Sequence, residues 1–265
     1  MKRDFLQILS PSRVLGFAGA FVILVLVVPL FVLFSCLDME SLTQGLSDGQ
    51  VWRSIWVTVL AGTISTVLGV LTGVPLAWWM SRMTPSRRAM VEPLTEIPIV
   101  LPPIIAGIAL LQTISPAFFF GRFLKNSGVE LFGTIPGIIL AMYFVGVPFI
   151  VKTCLTSFLS IDRRYEYVAR CLGASEWKVF FRIFLPLCWK GILNGCVLMF
   201  GRSMGIFGTV VLIASSEPTV PVLVYNRFNS MGLKAAITPA LILTLVSLIF
   251  FVLRQFAANR ISAGK

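Results

Sequence analysis

Residues 160–187 read SIDRRYEYVARCLGASEWKVFFRIFLPL, a stretch too long and too basic for a simple turn between apolar segments. Asp162 is expected to cap a first short helix, because its carboxylate can accept backbone N–H groups at a helix start. Gly173 follows, where the end of a helix favours glycine in the left-handed conformation. Ser175 can cap a second helix, and Pro186 ends it because proline has no N–H to donate. The stretch therefore predicts two short helices.

The rest of the chain is strongly apolar. Of its 265 residues, 57% are hydrophobic and 12% are charged, and the mean hydropathy is +0.92. Soluble domains carry about 25% charged residues, so this chain lacks the polar side chains that would cover its surface in water. The composition excludes a soluble enzyme, a disordered regulator and a small disulfide-linked module. It indicates an all-α membrane protein that crosses the bilayer several times.

Six segments are long and apolar enough to cross a bilayer, which takes about 20 residues in a helix. The first, residues 14–36, follows an N-terminus at 1–13, and its apolar run is too long for a signal peptide, so we expect an uncleaved anchor. A core transmembrane domain is expected over 50–256, with the loop 160–187 inside it and a tail at 257–265. The other predicted spans are 54–81, 94–115, 134–158, 189–214 and 236–256.

The positions of Lys and Arg predict the direction of these spans. With a cytoplasmic N-terminus, the inside segments hold fifteen basic residues and the outside loops hold five. Cytoplasmic loops carry the excess of Lys and Arg in membrane proteins, so both termini and the loop 160–187 are expected in the cytoplasm. An amphipathic helix in such a loop lies on the lipid surface or docks into a partner. The net charge of +11 then reflects topology, which argues against a nucleic-acid partner.

The sequence offers little catalytic or metal chemistry. It has no histidine, and its five cysteines are scattered without a C-x-x-C pair, so neither a metal site nor a disulfide framework is expected. No G-x-x-x-x-G-K-[ST] loop occurs, so the energy for active transport has to come from another subunit. The spans hold almost no acidic residues for a proton relay or for intramembrane catalysis. Sodium coupling through backbone carbonyls stays open.

The ionisable residues near the span ends are expected to reach water. Glu92 and Glu96 lie at the cytoplasmic start of the third span, where we expect them to be solvated. Lys152 lies near the cytoplasmic end of the fourth span, and its long side chain is expected to snorkel to the interface.

Two features inside the spans point to a permeation path. Pro98, Pro102 and Pro103 interrupt the third span, which therefore cannot be one regular helix. Broken backbone at membrane depth survives where it is buried in protein or lines a cavity, so this segment is a kinked packing helix or part of a path. Arg202 falls well inside the fifth span, where it is hydrogen-bonded internally or faces a path that attracts anions.

Glycines spaced four residues apart predict close helix contacts, because they lie on one helix face and let backbones approach. Three such pairs occur, at Gly69 and Gly73, Gly133 and Gly137, and Gly201 and Gly205.

Within the loop, Glu166 is followed by Gly173 and then by the run Ile183-Phe-Leu-Pro186. This spacing resembles the EAA loop of binding-protein-dependent ABC importers, although Tyr167 and Val168 replace its paired alanines. The resemblance implies that the loop is a coupling helix seated in a cleft of a separate ATPase subunit. The residues that it assigns to coupling are Glu166, Ala169, Arg170, Leu172, Gly173, Ala174, Ser175 and Pro186.

Other stretches resemble the molybdate and sulfate permeases of this class. Residues 98–107, PIVLPPIIAG, are similar to their P-x-V-L-P-P-x-x-A-G stretch, and residues 200–209, FGRSMGIFGT, are similar to F-x-R-A-L-G-E-F-G-A-T. Ile206 stands where that family usually has Glu. The candidate residues for the path or gate are Pro102, Pro103, Gly107, Arg202, Gly205, Gly208 and Thr209.

The resemblance implies a six-helix, MetI-like permease subunit in the cytoplasmic (inner) membrane that imports a tetrahedral oxyanion such as molybdate, tungstate or sulfate. It also implies a second permease copy (identical or a sister subunit), ABC ATPase subunits that bind ATP and Mg, and an extracytoplasmic substrate-binding protein. This chain itself is expected to hold no cofactor and to catalyse no reaction. A sister branch for phosphonate, iron or polyamine and an ion-coupled secondary transporter remain alternatives.

Overall fold

The computed structural model describes residues 11–35, 43, 45–214 and 218–263, and this described part is helical without a β-strand. Residues 1–10, Cys36 and residues 264–265, which the predictions above include, lie outside the described residues. The helices are α1 (Pro11–Ser35), α2 (Gly49–Ser81), α3 (Pro85–Val100), α4 (Pro103–Ile114), α5 (Phe119–Asn126), α6 (Ile135–Leu159), α7 (Arg164–Cys171), α8 (Glu176–Leu187), α9 (Trp189–Met204), α10 (Val220–Met231) and α11 (Leu233–Ala263).

Three helices, α1, α2 and α6, are long and apolar enough to cross a membrane by themselves. Two bent pairs, α3 with α4 and α8 with α9, bring the number of candidate spans to five. The described apolar part of α11, Leu233–Ile249, is shorter than a full span. The prediction of an all-α membrane protein is confirmed, while the sixth span stays a prediction.

The predicted interruption of the third span, 94–115, is confirmed, because the segment consists of two helices. Helix α3 ends at Val100 and α4 begins at Pro103, with an angle of 102° between them. Leu101 and Pro102 each precede a proline, and their ψ angles of 132° and 134° are extended. A following proline disfavours the helical region for the residue before it, which explains the break.

The predicted fifth span, 189–214, is wrong as a continuous helix. Helix α9 ends at Met204, and residues 205–214 continue as turns or without regular structure. Gly205 and Gly208 fall in this segment, and glycine is costly in a helix because it loses more backbone freedom than other residues.

Helices α2, α6 and α9 pack closely at the centre of the bundle. A Cβ atom at Gly69 of α2 would lie 2.9 Å from Ile150 Cδ1, and one at Gly195 of α9 would lie 3.0 Å from Ile150 Cα. The missing side chains let both helices approach α6, so the predicted close contact at Gly69 is confirmed. A Cβ atom at Gly201 or Gly205 would meet nothing within 4 Å, so this pair makes no close helix contact among the described residues.

Apolar side chains fill the bundle between these helices and cover much of its outside. One buried cluster includes Ile138 and Met142 of α6 with Ile206, and another joins Phe158 of α6 to Phe184 of α8. Helix α1, by contrast, is not buried in this chain over its candidate span. Its exposed apolar side chains need lipid or another protein chain around them.

Asp48 fixes the start of α2 against α10. Its Oδ1 accepts the backbone N–H of Gln50 at 2.8 Å, which caps α2, and its Oδ2 accepts a hydrogen bond from the Arg227 guanidinium. Burial raises the pKa of Asp48, but the hydrogen bonds from Arg227 and Gln50 lower it by more, so its pKa lies below the ordinary value. The carboxylate therefore stays ionised and holds both helix ends together.

Candidate functional site

The break between α3 and α4 lies directly against the turns that follow α9. Thr209 Oγ1 donates a hydrogen bond to the carbonyl oxygen of Pro103 at 2.8 Å. A Cβ atom at Gly208 would lie 2.9 Å from Pro103 Cβ, and one at Gly107 would lie 3.0 Å from Thr209 Cα. The two glycines therefore let the start of α4 and the turns touch backbone to backbone. We call this contact, between residues 102–107 and 208–209, the break site.

The break site unites five of the seven residues predicted for the path or gate. Pro102 and Pro103 are exposed on its outer side, whereas Thr209 is fully buried on its inner side. The predicted residues thus meet in one place, although they come from segments about a hundred positions apart.

The remaining two predicted path residues lie outside the break site, Arg202 in the last turn of α9 and Gly205 directly after it. Both are exposed, and no hydrogen bond or ion pair joins the Arg202 guanidinium to another described residue. Its guanidinium is therefore available at the surface of this chain to a partner copy, lipid or an anion.

Ile206 has a packing role in this structure. Its side chain is 1% exposed and belongs to the buried cluster with Ile138 and Met142. A carboxylate at this position would need a buried partner, because an unpaired charge is costly away from water. The apolar residue therefore suits the surroundings that this chain provides.

Lys152 and Glu96 form an ion pair between two apolar helices. Lys152 Nζ of α6 lies 2.6 Å from Glu96 Oε1 of α3. Both side chains remain partly exposed, as expected, and each charge also has a partner on the neighbouring helix. Sequence reasoning missed the pair because 56 positions separate the two residues. The sequence indicated this pair only through the opposite charges of Lys152 and Glu96, which both lie near the ends of predicted spans.

The loop 160–187 contains the two short helices predicted for it, α7 and α8, and Gly173 ends the first. Gly173 has a φ of +81°, its N–H donates to Arg170 O at 2.9 Å, and the Ala174 N–H donates to Ala169 O at 2.9 Å. These two bonds are those of a Schellman motif, which satisfies the last carbonyl groups of a helix. The predicted left-handed helix end is confirmed.

Both predicted helix starts are also present. Asp162 Oδ1 accepts the backbone N–H of Arg164 at 2.9 Å, and Ser175 Oγ accepts that of Lys178 at 3.4 Å. Each side chain satisfies an N–H group that has no partner inside its helix. Caps at three points thus fix the angle between α7 and α8.

Arg82, just after α2, ties both loop helices to the membrane bundle. Its Nη1 donates to Glu166 Oε1 of α7 at 2.8 Å and lies 3.3 Å from Glu176 Oε1 of α8. Its guanidinium carbon lies 3.9 Å from the centre of the Trp78 ring, in a cation–π contact. Arg170 makes a further ion pair with Glu166 at 3.0 Å. Sequence reasoning counted Arg82 only as a topological charge and missed this link.

The predicted coupling residues divide between inward and outward positions. Ala169 and Ala174 pack partly buried against the cluster around Phe158, and Glu166 is held by its ion pairs. Pro186 is exposed at the end of α8. Four exposed side chains of the two loop helices are apolar, with Leu172 82% exposed and Trp177 72% exposed. We call Val168, Leu172, Trp177 and Phe181 together the docking face. Trp177 and Phe181 stack with ring centres 5.9 Å apart and also line a groove beside Val74 and Trp78 of α2.

The cysteines differ sharply in exposure. Cys171, at the end of α7, is exposed, whereas Cys154 and Cys188 are buried. Over the described ranges, no three His, Cys, Asp or Glu side chains group closely enough to hold a metal ion.

Replacing Arg82 by glutamine is expected to loosen α7 and α8 from the bundle. Loss of a partly buried ion pair that also stacks on Trp78 costs about 1.4 kcal/mol, so amide hydrogen exchange in α7 should rise about tenfold. Arg164→Gln is the matched control, because the Arg164 side chain is 89% exposed and its pair with Asp162 spans 3.8 Å. Equal exchange rates in the two variants would contradict the role given to Arg82.

The sequence of the chain matches a known family and named relatives. Residues 67–263 match the family described as binding-protein-dependent transport system inner membrane component. The chain is 35% identical to the molybdate/tungstate transport system permease protein WtpB of Pyrococcus furiosus over 244 residues, which cover 91% of this chain and 93% of that protein. It is 26% identical to the sulfate transport system permease protein CysW of Synechocystis, covering 91% of this chain and 90% of that one.

The fold matches solved ABC transporters. A bacterial ABC transporter for import of the acidic polysaccharide alginate has a TM-score of 0.77 and 20% sequence identity, with 98% of this chain and 97% of that chain covered. The MetNI methionine ABC transporter, in an inward-facing conformation, has a TM-score of 0.62 and 18% identity, with 81% and 95% covered. These likenesses show a shared fold.

Proposed function

Because the chain belongs to the family of binding-protein-dependent transport system inner membrane components, we propose that it forms the translocation path of an ATP-driven importer for a tetrahedral oxyanion. The proposed substrate is molybdate, tungstate or sulfate. Support comes from relatives that match over nine tenths of this chain and are named for these anions. The permease would perform no bond chemistry of its own, and ATP and Mg would bind to a partner subunit.

The observation that carries the coupling part of this proposal is the docking face. Leu172 and Trp177 are exposed on α7 and α8, which Arg82 joins to the end of α2. Binding of a partner that covers these exposed apolar side chains is favourable, because it removes their surface from water. An ATPase subunit is the proposed partner, and the loop is the proposed coupling helix.

The proposed cycle follows from the connection between this loop and α2. Two permease copies would enclose the path, and an extracytoplasmic binding protein would deliver the anion. ATP-driven closure of two ATPases would move the docking faces together, and Arg82 would pass this movement to α2. The break site would then open towards the binding protein, and ATP hydrolysis would reverse the change.

The proposed topology has six spans with both termini and the loop 160–187 in the cytoplasm, and the membrane is the cytoplasmic (inner) one. The bias of Lys and Arg towards these segments supports it. The sixth span would lie in α11, of which the described apolar part is Leu233–Ile249.

Labelling of Cys171 tests both the partner and the topology. In a Cys36→Ser chain, a membrane-impermeant maleimide is expected to label Cys171 in inside-out vesicles, and co-assembly with the ATPase should reduce labelling at least about fivefold. The matched control is Asn126→Cys, on the exposed end of α5, which should react only in right-side-out vesicles. Cys171 that reacts from outside, or that stays unprotected by the ATPase, would contradict the proposed coupling role.

A further inference from the structure

The ion pair of Lys152 and Glu96 lies beside the break between α3 and α4. Glu96 is about one helical turn before the end of α3 at Val100, and the break follows at Leu101 and Pro102. Glu92 lies one further turn towards the start of α3, on the same helix face. The pair therefore connects α6 to the last turns of the helix that ends at the break site.

The ion pair lies away from the cytoplasmic ends that are predicted for both helices. Lys152 is seven residues before the end of α6 at Leu159, and its Nζ reaches Glu96 Oε1 on α3. Glu96 is eleven residues after the start of α3 at Pro85. The pair is therefore about two helical turns from the end of α6 and about three from the start of α3.

Both charges are nevertheless partly open to the surroundings. The Lys152 side chain is 58% exposed and that of Glu96 is 29% exposed, although α6 is a candidate span and α3 with α4 is a bent candidate pair. Ionisable side chains within membrane segments face a bundle interior or a water-filled cavity, since the lipid interior disfavours them. The exposed side of this pair therefore fits a wall of the aqueous path better than a lipid contact.

We propose that Lys152 and Glu96 line the translocation path and that their pairing controls how strongly the path holds a passing oxyanion. This inference rests on the proposed function. While the pair is closed, Glu96 neutralises Lys152, and with Glu92 on the same face of α3 the anion meets no net positive charge. When α3 moves at the break site, the ammonium separates from the carboxylate and becomes available to the anion. The pair would thereby link the position of the gate to affinity for a dianion.

Charge-neutralising variants test this proposal through effects of opposite sign. Glu96→Gln leaves the ammonium unpaired, so the assembled transporter should retain at least about fivefold more tungstate at subsaturating concentration in equilibrium dialysis. Lys152→Gln leaves a carboxylate facing the path, so tungstate retention should fall and ATP-driven uptake should drop at least about tenfold. The double variant removes both charges, and its uptake should be at least about threefold higher than that of the Lys152→Gln variant.

Lys125 and Glu130 provide the matched control, because they form an exposed pair at 3.2 Å between the last turn of α5 and the segment after it. Lys125→Gln and Glu130→Gln should leave uptake and retention unchanged. If both single variants at Lys152 and Glu96 change retention in the same direction, or if the double variant gains nothing, the pair is only a structural tie and the inference is overturned. Absence of ATP-driven uptake by the unmodified transporter would instead overturn the proposed function.

Discussion

Replacing Gly173 by valine is expected to lower ATP-driven uptake at least about tenfold while the chain still inserts into the membrane. Gly173 has a φ of +81°, and a β-branched residue in the left-handed region costs roughly 1–2 kcal/mol. The cost falls on the Schellman motif that sets the angle between α7 and α8. A changed angle would misalign Leu172 and Trp177 on the docking face, so both uptake and co-purification of the ATPase should fall.

Gly173→Asn is the matched control for this prediction. Asparagine adopts the left-handed conformation far more readily than valine, and a Cβ atom at Gly173 would meet nothing within 4 Å. The asparagine variant should therefore keep at least about half of the uptake. If the asparagine variant is as inactive as the valine variant, position 173 tolerates no side chain at all. That result would contradict the claim that Gly173 is needed only for its left-handed backbone conformation.

Replacing Gly107 by leucine is expected to abolish uptake, with at least about a twentyfold loss. A Cβ atom there would lie 3.0 Å from Thr209 Cα and 3.1 Å from Gly208 O, so backbone atoms would have to move. Overpacking of this kind costs typically 1–3 kcal/mol, and relief requires the turns to leave α4. The hydrogen bond from Thr209 to Pro103 would then break, and the break site could not close.

Gly49→Leu is the control for the change at Gly107, because a Cβ atom at Gly49 would meet nothing within 4 Å. Membrane insertion of both variants, measured by the amount in washed membranes, should be equal. Uptake should remain near the unmodified level for Gly49→Leu only. Normal uptake by the Gly107→Leu variant would mean that the close contact between α4 and the turns is not needed for transport.

The sequence was sufficient to predict those features of the backbone that depend on neighbouring residues. Leu101 and Pro102 are extended because each precedes a proline, and this follows from adjacent residues alone. Asp162, Gly173 and Ser175 shape the loop through hydrogen bonds to backbone groups at most four positions away. The resemblance to known permeases grouped the residues of the break site, and the structure brings Pro103, Gly107, Gly208 and Thr209 into contact, with Pro102 directly before them.

Long-range partners could not be predicted in the same way. The links from Arg82 to Glu166 and from Lys152 to Glu96 join residues 84 and 56 positions apart, and no spacing rule selects one acidic residue over another. The end of α9 was placed too late because residues 205–214 are apolar enough to extend a span. Their turns depend on contacts with α4 that only the folded chain supplies.

Uptake by the reconstituted transporter tests the central claim most directly. The chain is assembled in proteoliposomes with its ATPase and binding protein, and entry of labelled molybdate is measured against unlabelled tungstate, sulfate, phosphonate, ferric ion and polyamine. We predict that molybdate enters only when ATP and both partners are present, and that tungstate blocks its entry. Entry driven by an ion gradient without the ATPase, or block by phosphonate, ferric ion or polyamine alone, would contradict an ATP-driven oxyanion importer.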